Sequence, residues 1–302
     1  MRVDAPQCTL VCRGGRAIHF PRRPLIMGIV NINDDSFSGD GTLDVSQALA
    51  TARAMVAQGA DIIDVGAESA RTNRAAISVA EELDRLRPFV RAFAAPFAEP
   101  MVFDSQQVVP PLLSINTWRP EVARGILPEG GDILNDMGGL PTDENARICA
   151  EFGAALLIMH SVGEPKVPHF DVHWEDPVQS LCEFFEQKLA IAAAAGLSAN
   201  ATILDPGIDF AKQRDANLQI YAKLDKFIAF QRPVLVPVSR KTVIGEVLGI
   251  AEPTQRDAGT IACLVAAQLR GASIFRVHNV AAAAQTVKIL SNLGGPQLEK
   301  SL

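Results

Sequence analysis

The chain has little of several features that mark specialised protein classes. It contains five cysteines, Cys8, Cys12, Cys149, Cys182 and Cys263, and none of them forms a C-x-x-C pair. An odd number of scattered cysteines is typical of reduced, mostly buried thiols and provides no disulfide framework. Aromatic residues make up only 6% of the chain, whereas 48% is hydrophobic, so we expect a large core built mainly from aliphatic side chains.

Long apolar runs and an excess of positive charge are also absent. The longest apolar stretch, Ile261–Leu269, is far too short to cross a bilayer, and Met1–Pro6 carries no apolar signal core. The formal net charge is −6, so the surface lacks the basic face that nucleic-acid binding requires. We therefore expect a soluble cytoplasmic protein that binds neither nucleic acid nor membrane. A local cluster of cations could still bind a small anion.

What the chain does contain is a series of short apolar runs, each followed by a polar or charged residue, at roughly barrel-repeat spacing. The runs are Leu25–Val30, Ile62–Ala67, Leu112–Ile115, Ile133–Leu134, Ala154–Met159, Ile203–Leu204, Val234–Val238 and Ile274–Phe275. A strand that is buried on both faces reads as a continuous apolar run, and helix-like stretches separate these runs. The pattern predicts an α/β fold, a (β/α)8 TIM barrel, with its chemistry at the carboxyl ends of the strands.

The chain length of 302 residues is normal for one decorated barrel, and we expect residues 1–302 to form a single domain. Two β-like runs joined through Gly14-Gly15 predict an N-terminal β-hairpin, within residues 1–23, that covers the barrel bottom. Residues 94–111 are rich in proline and too long for a standard connection, which indicates a peripheral insertion. Helices are predicted at Ala216–Phe230 and Thr254–Arg270, among others. The second is apolar almost all round, so it is either deeply buried or packed against a second subunit, and we expect a homodimer.

Several residues at the strand ends are suited to binding a charged ligand. Asn31 could coordinate Mg²⁺ or a phosphate oxygen. Arg276 and His278 alternate on an extended strand end, so they can face the same side and, with Arg71, bind a dianionic group. Asp205 precedes a Pro-Gly pair and points into the barrel mouth. Its natural partner is a pair of N–H donors such as an aminopyrimidine edge.

The segment after the seventh run contains Ser239-Arg240-Lys241, and Thr242 then opens a helix whose N–H groups could receive a carboxylate. Three histidines, His160, His169 and His173, invite a zinc interpretation. Their spacing matches no zinc site and no thiolate lies nearby in the sequence, so we favour a loop role for them. We find no Ser-His-Asp or Cys-His arrangement for nucleophilic catalysis.

Taken in order, these segments resemble the motifs of the dihydropteroate synthase family from about Leu25 to Val280. Met27–Phe37 resembles M-G-I-[LV]-N-x-T-P-D-S-F, Ile62–Arg71 resembles I-I-D-[VI]-G-[GA]-E-S-T-R, Leu113–Thr117 resembles I-S-[IV]-D-T, and Leu134–Gly139 resembles I-N-D-[IV]-x-G. Leu157–His160 resembles L-M-H, Asp205–Phe210 resembles D-P-G-I-G-F, Val238–Gly245 resembles V-S-R-K-[ST]-x-[IL]-G, and Arg276–Asn279 resembles R-V-H-[DN]. Each motif is weak alone, but eight in the same order are specific for the family.

The resemblance implies a transferase of folate biosynthesis. It would condense 6-hydroxymethyl-7,8-dihydropterin pyrophosphate with p-aminobenzoate to give 7,8-dihydropteroate and pyrophosphate, with Mg²⁺ as cofactor and sulfonamides as inhibitors. By family analogy the pterin is bound by Asn116, Asn135, Asp205 and Lys241, of which Asn116, Asp205 and Lys241 are catalytic. The pyrophosphate is bound by Asn31, Arg71, Arg276 and His278, with the metal at Asn31. The p-aminobenzoate is bound by Ala70, Thr72, Phe210 and Thr242.

The chain departs from the family pattern at the third run and in two loops. Asn116 stands where the pattern has aspartate, and an amide brings no negative charge. A charge-assisted hydrogen bond is worth about 1.5–3 kcal/mol against about 1 kcal/mol for a neutral one, so we expect a slower chemical step. Asn33 and Asp34 replace Thr-Pro, and Ala70 and Thr72 replace the threonine and proline around Arg71. Because these positions flank the p-aminobenzoate pocket in the family, the identity of the second substrate stays open.

Three other functions therefore stay in view. The chain could be a divergent homologue that uses another amine or has a different role. It could be a pterin-binding methyltransferase domain of the methyltetrahydrofolate–corrinoid type, which Asn116 suits but the anion pair Arg276 and His278 does not. It could also be a non-catalytic pterin-binding protein, against which the intact anion site argues.

Overall fold

A computed structural model of the protein describes residues 5–33, 41–68, 75–97, 105–167 and 172–293, together with Val3 and His169. The strands are β1 Cys8–Cys12, β2 Arg16–Phe20, β3 Leu25–Asn31, β4 Ile62–Gly66, β5 Leu112–Asn116, β6 Ile133–Asp136, β7 Ala155–Met159, β8 Thr202–Asp205, β9 Leu235–Val236 and β10 Ile274–Val277. The α-helices are α1 Val45–Ala57, α2 Val79–Ala92, α3 Pro120–Ile126, α4 Glu144–Phe152, α5 Pro177–Ala194, α6 Arg214–Ala222, α7 Thr242–Leu248, α8 Asp257–Gln268 and α9 Val280–Leu293.

Strands β3 to β10 form one eight-stranded parallel sheet in the order β8-β7-β6-β5-β4-β3-β10-β9. A parallel bridge between Leu204 and Val234 joins the two outer strands, so the sheet closes into a barrel. The strand residues are buried almost throughout, which explains why the strands read as continuous apolar runs. The predicted (β/α)8 barrel is confirmed.

The N-terminal hairpin is also present and lies at the bottom of the barrel. Strands β1 and β2 pair antiparallel, and Gly14, with a φ of 69°, makes the turn between them. Arg13 donates to the carbonyl of Leu127, and Arg16 donates to the carbonyl of Pro110. Both carbonyls lie in segments that lead into the amino ends of barrel strands, so these bonds hold the hairpin at the end opposite the strand carboxyl termini.

Two predicted helices are shorter in the structure. The predicted helix Ala216–Phe230 ends as α6 at Ala222 and continues as a 3₁₀ turn over Leu224–Phe230. Lys223 has a φ of −122°, which breaks the α-helix, and the buried Leu224 and Phe227 have the three-residue spacing of a 3₁₀ turn. The predicted helix Thr254–Arg270 is also shorter, because a 3₁₀ turn over Pro253–Arg256 precedes α8. No helix in the described parts of the chain is both long and apolar enough to cross a membrane.

The middle of the proline-rich segment 94–111 falls outside the described residues, because residues 98–104 are not described. Its interpretation as a peripheral insertion stays a prediction. The part that is described ends at the barrel bottom, where the buried Val108 donates its N–H to Asp61.

A buried ion pair joins the starts of three barrel strands. The Asp61 carboxylate accepts two hydrogen bonds of 2.8 Å each from Arg23, and it also accepts the N–H groups of Ile26 and Val108 at 2.9 Å. Asp61 is fully buried, and the Arg23 side chain is only 10% exposed. Removing one partner of such a pair leaves the other charge buried without compensation.

Asp61→Ala is therefore expected to lower the free energy of unfolding by about 3–5 kcal/mol. Glu151→Ala is the matched control, because it removes the exposed pair between Glu151 and Arg124 and should cost less than about 1 kcal/mol. Urea unfolding followed by circular dichroism measures both values. Equal losses in the two variants would contradict the proposed role of Asp61.

Candidate functional site

A cavity of about 860 Å³ opens at the carboxyl ends of the barrel strands. It brings together every predicted site residue that the structure describes. These are Asn31, Asn116, Asn135, Asp205, Phe210, Lys241, Thr242, Arg276 and His278. The remaining predicted site residues, Ala70, Arg71 and Thr72, lie outside the described residues.

The carboxylate of Asp64, in the middle of β4, connects the polar side chains at the cavity floor. It accepts hydrogen bonds from the Ser114 hydroxyl at 2.6 Å, from Asn135 Nδ2 at 3.2 Å, from Asn116 Nδ2 at 3.3 Å and from Arg276 Nε at 2.8 Å. Asp64 is fully buried. Sequence reasoning missed this residue because it treated Ile62–Ala67 as one apolar run. The signal was a carboxylate inside that run.

Asp205 ends β8 and has an unusual electrostatic environment. Burial raises the pKa of its carboxyl to about 6, while a bond from the Gly207 N–H and the charges of Lys241, Lys212 and Arg276 act to lower it. The Gly207 N–H donates to Asp205 Oδ1 at 2.7 Å. A Cβ at Gly207 would lie 2.1 Å from the His160 carbonyl oxygen, so only glycine fits this turn. The carboxylate is thus fixed in place and is mostly ionised at neutral pH.

Lys212 is a buried cation beneath the same turn, and sequence reasoning also missed it. Its Nζ lies 2.8 Å from His160 Nδ1 and donates to the carbonyls of Gly207 at 2.9 Å and Phe210 at 3.0 Å. Burial lowers the pKa of Lys212 to about 7, and burial together with Lys212 lowers the pKa of His160 to about 2. His160 is therefore a neutral ring whose Nδ1 accepts a hydrogen bond from Lys212, a more specific role than the expected loop role.

Lys241 reaches the cavity from the segment before α7. Its Nζ donates to the Ile208 carbonyl at 2.8 Å and lies 5.0 Å from the centre of the Phe210 ring. Burial lowers its pKa. The buried Arg256 fixes the backbone of this segment by donating to the carbonyls of Arg240 at 3.0 Å and Lys241 at 3.2 Å.

Arg276 and His278 lie together on the side of the cavity that offers N–H donors. The bond from Arg276 to Asp64 uses Nε and orients the guanidinium. His278 Nδ1 lies 2.8 Å from the Ser239 hydroxyl oxygen, which also accepts the His278 N–H at 3.2 Å. This arrangement favours the ring tautomer that is protonated at Nε2. The site therefore presents a carboxylate and amides on one side and N–H donors on another.

The helix that was expected to receive a ligand carboxylate already binds one from the chain. The N–H groups of Thr242 and Val243, at the start of α7, donate to the Asp209 carboxylate. Asp209 was not among the predicted site residues. The signal in the sequence is that D-P-G-I-D-F has aspartate where the family pattern has glycine.

A model of the family described as "Pterin binding enzyme" matches residues 27–278. Dihydropteroate synthase of Escherichia coli K12 is 35% identical over 268 residues, covering 88% of this chain and 90% of the relative. The structure of Xanthomonas albilineans dihydropteroate synthase with 4-aminobenzoic acid is 32% identical, with a TM-score of 0.82, over 96% of this chain and 100% of that chain. The Yersinia pestis dihydropteroate synthase in a sulfonamide drug complex is 33% identical, with a TM-score of 0.83, over 94% of this chain and 98% of that chain.

The raised pKa of Asp205 predicts a cost in stability. Its ordinary value of 3.8 becomes about 6 in the folded protein, so the folded state binds the proton more tightly and stability falls as the pH rises through this interval. Asparagine does not ionise, so the Asp205→Asn variant does not lose stability as the pH rises. The change should raise the free energy of unfolding by about 1–3 kcal/mol at pH 7, because one pKa unit corresponds to about 1.4 kcal/mol.

Urea unfolding of the ligand-free protein at about pH 4 and pH 7 measures this effect, and the gain should nearly vanish at the lower pH. Asp84→Asn removes an exposed carboxylate and serves as the control, with no gain expected at either pH. If the Asp205→Asn variant is less stable than the wild type at pH 7, ionisation of the buried Asp205 carboxyl does not destabilise the fold.

Proposed function

This chain belongs to the dihydropteroate synthase family of pterin-binding enzymes, and on that basis we propose that it condenses 6-hydroxymethyl-7,8-dihydropterin pyrophosphate with p-aminobenzoate. The products are 7,8-dihydropteroate and pyrophosphate, in folate biosynthesis. The observation that carries the proposal is that one cavity contains both a fixed carboxylate, Asp205, and two N–H donors for an anion, the Arg276 guanidinium and the His278 ring. A pterin pyrophosphate needs both kinds of partner.

The pterin end of the substrate contacts Asp205, Asn135 and Lys241 in this proposal. Asp205 accepts the two N–H groups of the aminopyrimidine edge, a contact that requires the ionised carboxylate. Asn135 adds a second polar contact to that edge, and Lys241 donates to the carbonyl and ring-nitrogen side. Asn116 lies along the ring. Its Nδ2 is directed to Asp64 at 3.3 Å and to the Met137 sulfur at 3.4 Å, which leaves the amide oxygen as its acceptor.

The pyrophosphate end contacts Arg276 and His278, and Arg71 joins them by family analogy. Because Arg276 uses Nε for Asp64, its other guanidinium nitrogens can bind phosphate oxygens. As pyrophosphate leaves, these cationic and N–H donors stabilise its growing negative charge, and the pterin methylene becomes positive. The weak aniline nitrogen then attacks the methylene carbon and loses a proton. No side chain acts as a nucleophile.

We also propose that Mg²⁺ accompanies the pyrophosphate at Asn31. Magnesium is usually held by one or two protein oxygens together with substrate phosphates and water, and the Asn31 amide oxygen at the end of β3 suits that role. Asn33 supports the fit, because its buried amide oxygen has no hydrogen-bond partner among the described residues. When bound, the metal would neutralise phosphate charge. Within the described chain, no cluster of three histidine, cysteine or acidic side chains could hold a metal alone.

The amine site is the space bordered by Phe210, Lys241 and Thr242, with Ala70 and Thr72 contributing by family analogy. Phe210 offers a ring face for an aromatic amine, and Lys241 Nζ lies 5.0 Å from the centre of this ring. Sulfonamides, which resemble p-aminobenzoate, are the proposed inhibitors.

We further propose a cytoplasmic homodimer. All five cysteines carry free thiols, as is typical of a reducing compartment. Helix α8 buries only Thr260, Leu264 and Ala267, so it is not deeply buried in the monomer. Leu269, at its end, is 39% exposed, and a second copy of the chain would cover this surface.

The proposed activity predicts that purified protein with Mg²⁺ releases pyrophosphate from pterin pyrophosphate only when p-aminobenzoate is present. Arg276→Gln should raise the KM for pterin pyrophosphate at least about tenfold, because it removes a charged phosphate donor. Arg124→Gln, at an exposed arginine that does not line the cavity, is the matched control and should leave KM unchanged. Absence of amine-dependent release at saturating substrate would refute the proposal.

Asn116→Asp is expected to increase kcat about tenfold, because a carboxylate along the pterin ring stabilises the developing positive charge. Asp64 lies beside position 116, so repulsion raises the pKa of the new carboxyl and the gain should be larger at pH 8 than at pH 6.

The same change at Asn135, which also donates to Asp64, is the control and should give no gain. Steady-state kinetics over this pH range measures the effect of both variants. An Asn116→Asp enzyme no faster than the wild type at either pH would favour a changed reaction.

A further inference from the structure

The start of α7 is capped by a side chain from another loop. The Thr242 N–H donates to Asp209 Oδ2, and the Val243 N–H donates to Asp209 Oδ1 at 3.3 Å. Lys241, the residue directly before the helix, provides no side-chain cap. The donors that a helix start offers to an anion are therefore already bonded to a carboxylate of the chain itself.

Buried contacts hold Asp209 in this position. Its N–H donates to Asn217 Oδ1 at 3.0 Å, and Asn217 Nδ2 donates back to Asp209 Oδ1 at 3.1 Å. Asn217 is 1% exposed and also donates to the Lys212 carbonyl. Asp209 has a φ of 69°, in the left-handed region that carries a backbone cost for residues with a side chain, although aspartate tolerates it better than most. The contacts offset that backbone cost, so the carboxylate is built into the site.

The Asp209 carboxylate lies in the part of the cavity that is proposed to bind the amine substrate. Asp209, Thr242 and Glu246 all line it, and Glu246 follows Thr242 by one helical turn. In the proposed function Thr242 borders the amine substrate. A substrate carboxylate placed there would approach two acidic side chains and find N–H groups that are already bonded.

We infer that Asp209 is a specificity-determining residue that weakens the binding of p-aminobenzoate relative to aromatic amines with an uncharged para substituent. This inference rests on the proposed function and refines its second substrate. A para carboxamide can donate an N–H to Asp209 and leave the helix cap intact. A carboxylate can only accept, so its binding requires Asp209 to give up the Thr242 and Val243 bonds.

The test compares p-aminobenzoate with its uncharged isostere p-aminobenzamide in the pyrophosphate-release assay. Asp209→Asn keeps the size of the side chain and removes its charge. Asp209→Gly removes the side chain and suits the left-handed backbone, so this variant should fold even without the cap. In both variants the ratio of kcat/KM for the acid to that for the amide should rise at least about tenfold, mainly through a lower KM for the acid.

Asp176→Asn is the matched control for the loss of a helix cap. Asp176 caps α5 by accepting the N–H groups of Val178 and Gln179 at 3.0 Å each, and it does not line the cavity. Its variant should lose some stability without changing the acid-to-amide ratio. If the Asp209 variants change kcat/KM for both amines by the same factor, the ratio stays as in the wild type. Asp209 is then only a structural cap, and the inference is overturned.

Calorimetric titration separates this inference from the proposed function. Each amine is titrated into protein that is saturated with 6-hydroxymethylpterin and pyrophosphate, and the ratio of the two Kd values replaces the kinetic ratio. If wild-type protein releases no pyrophosphate with any amine, the proposed function fails. The Kd ratio in wild type and in the two Asp209 variants still supports or overturns the specificity role.

Discussion

One buried carboxylate, that of Asp64, holds the floor of the barrel mouth together. It is fully buried in the middle of a strand and accepts hydrogen bonds from three neutral side chains and one cation, Arg276. A buried charge is tolerated only when it is paired and its lone pairs are satisfied. The donors come from β5, β6 and β10, so a single acceptor sets the positions of the two amides and the arginine that would contact opposite ends of a pterin pyrophosphate. In the proposed function, Asp64 therefore links the side chains that would contact the pterin to the arginine that would bind phosphate.

The turn after β8 forms the second organised part of the site. Asp205 and Asp209 lie four residues apart in one tight segment, yet their carboxylates have different roles. Asp205 points into the cavity with a pKa raised to about 6, whereas Asp209 caps α7. Lys212 fixes the turn between them through two carbonyl oxygens and the neutral His160 ring. Burial raises the pKa of Asp205, and the protonated form of Lys212 acts to lower it.

The barrel and the polar residues at the ends of its strands could be predicted from the sequence, because both follow from local patterns. A strand buried on both faces is apolar along its whole length, and the polar residue after it, such as Asn31 or Asp205, must lie at the barrel mouth. Partnerships across the barrel could not be predicted in this way. Asp64 and Arg276 are 212 residues apart, and no periodicity in the chain relates them. The cap by Asp209 on a remote helix was missed for the same reason.

The central claim is that one cavity binds a pterin pyrophosphate, with the heterocycle at Asp205 and the phosphates at Arg276 and His278. A crystal structure of the protein with bound pterin pyrophosphate and Mg²⁺ tests this claim most directly. The account predicts the aminopyrimidine edge within hydrogen-bond distance of the Asp205 carboxylate and phosphate oxygens within hydrogen-bond distance of the Arg276 guanidinium. A ligand bound in the reverse orientation, or outside this cavity, would contradict it.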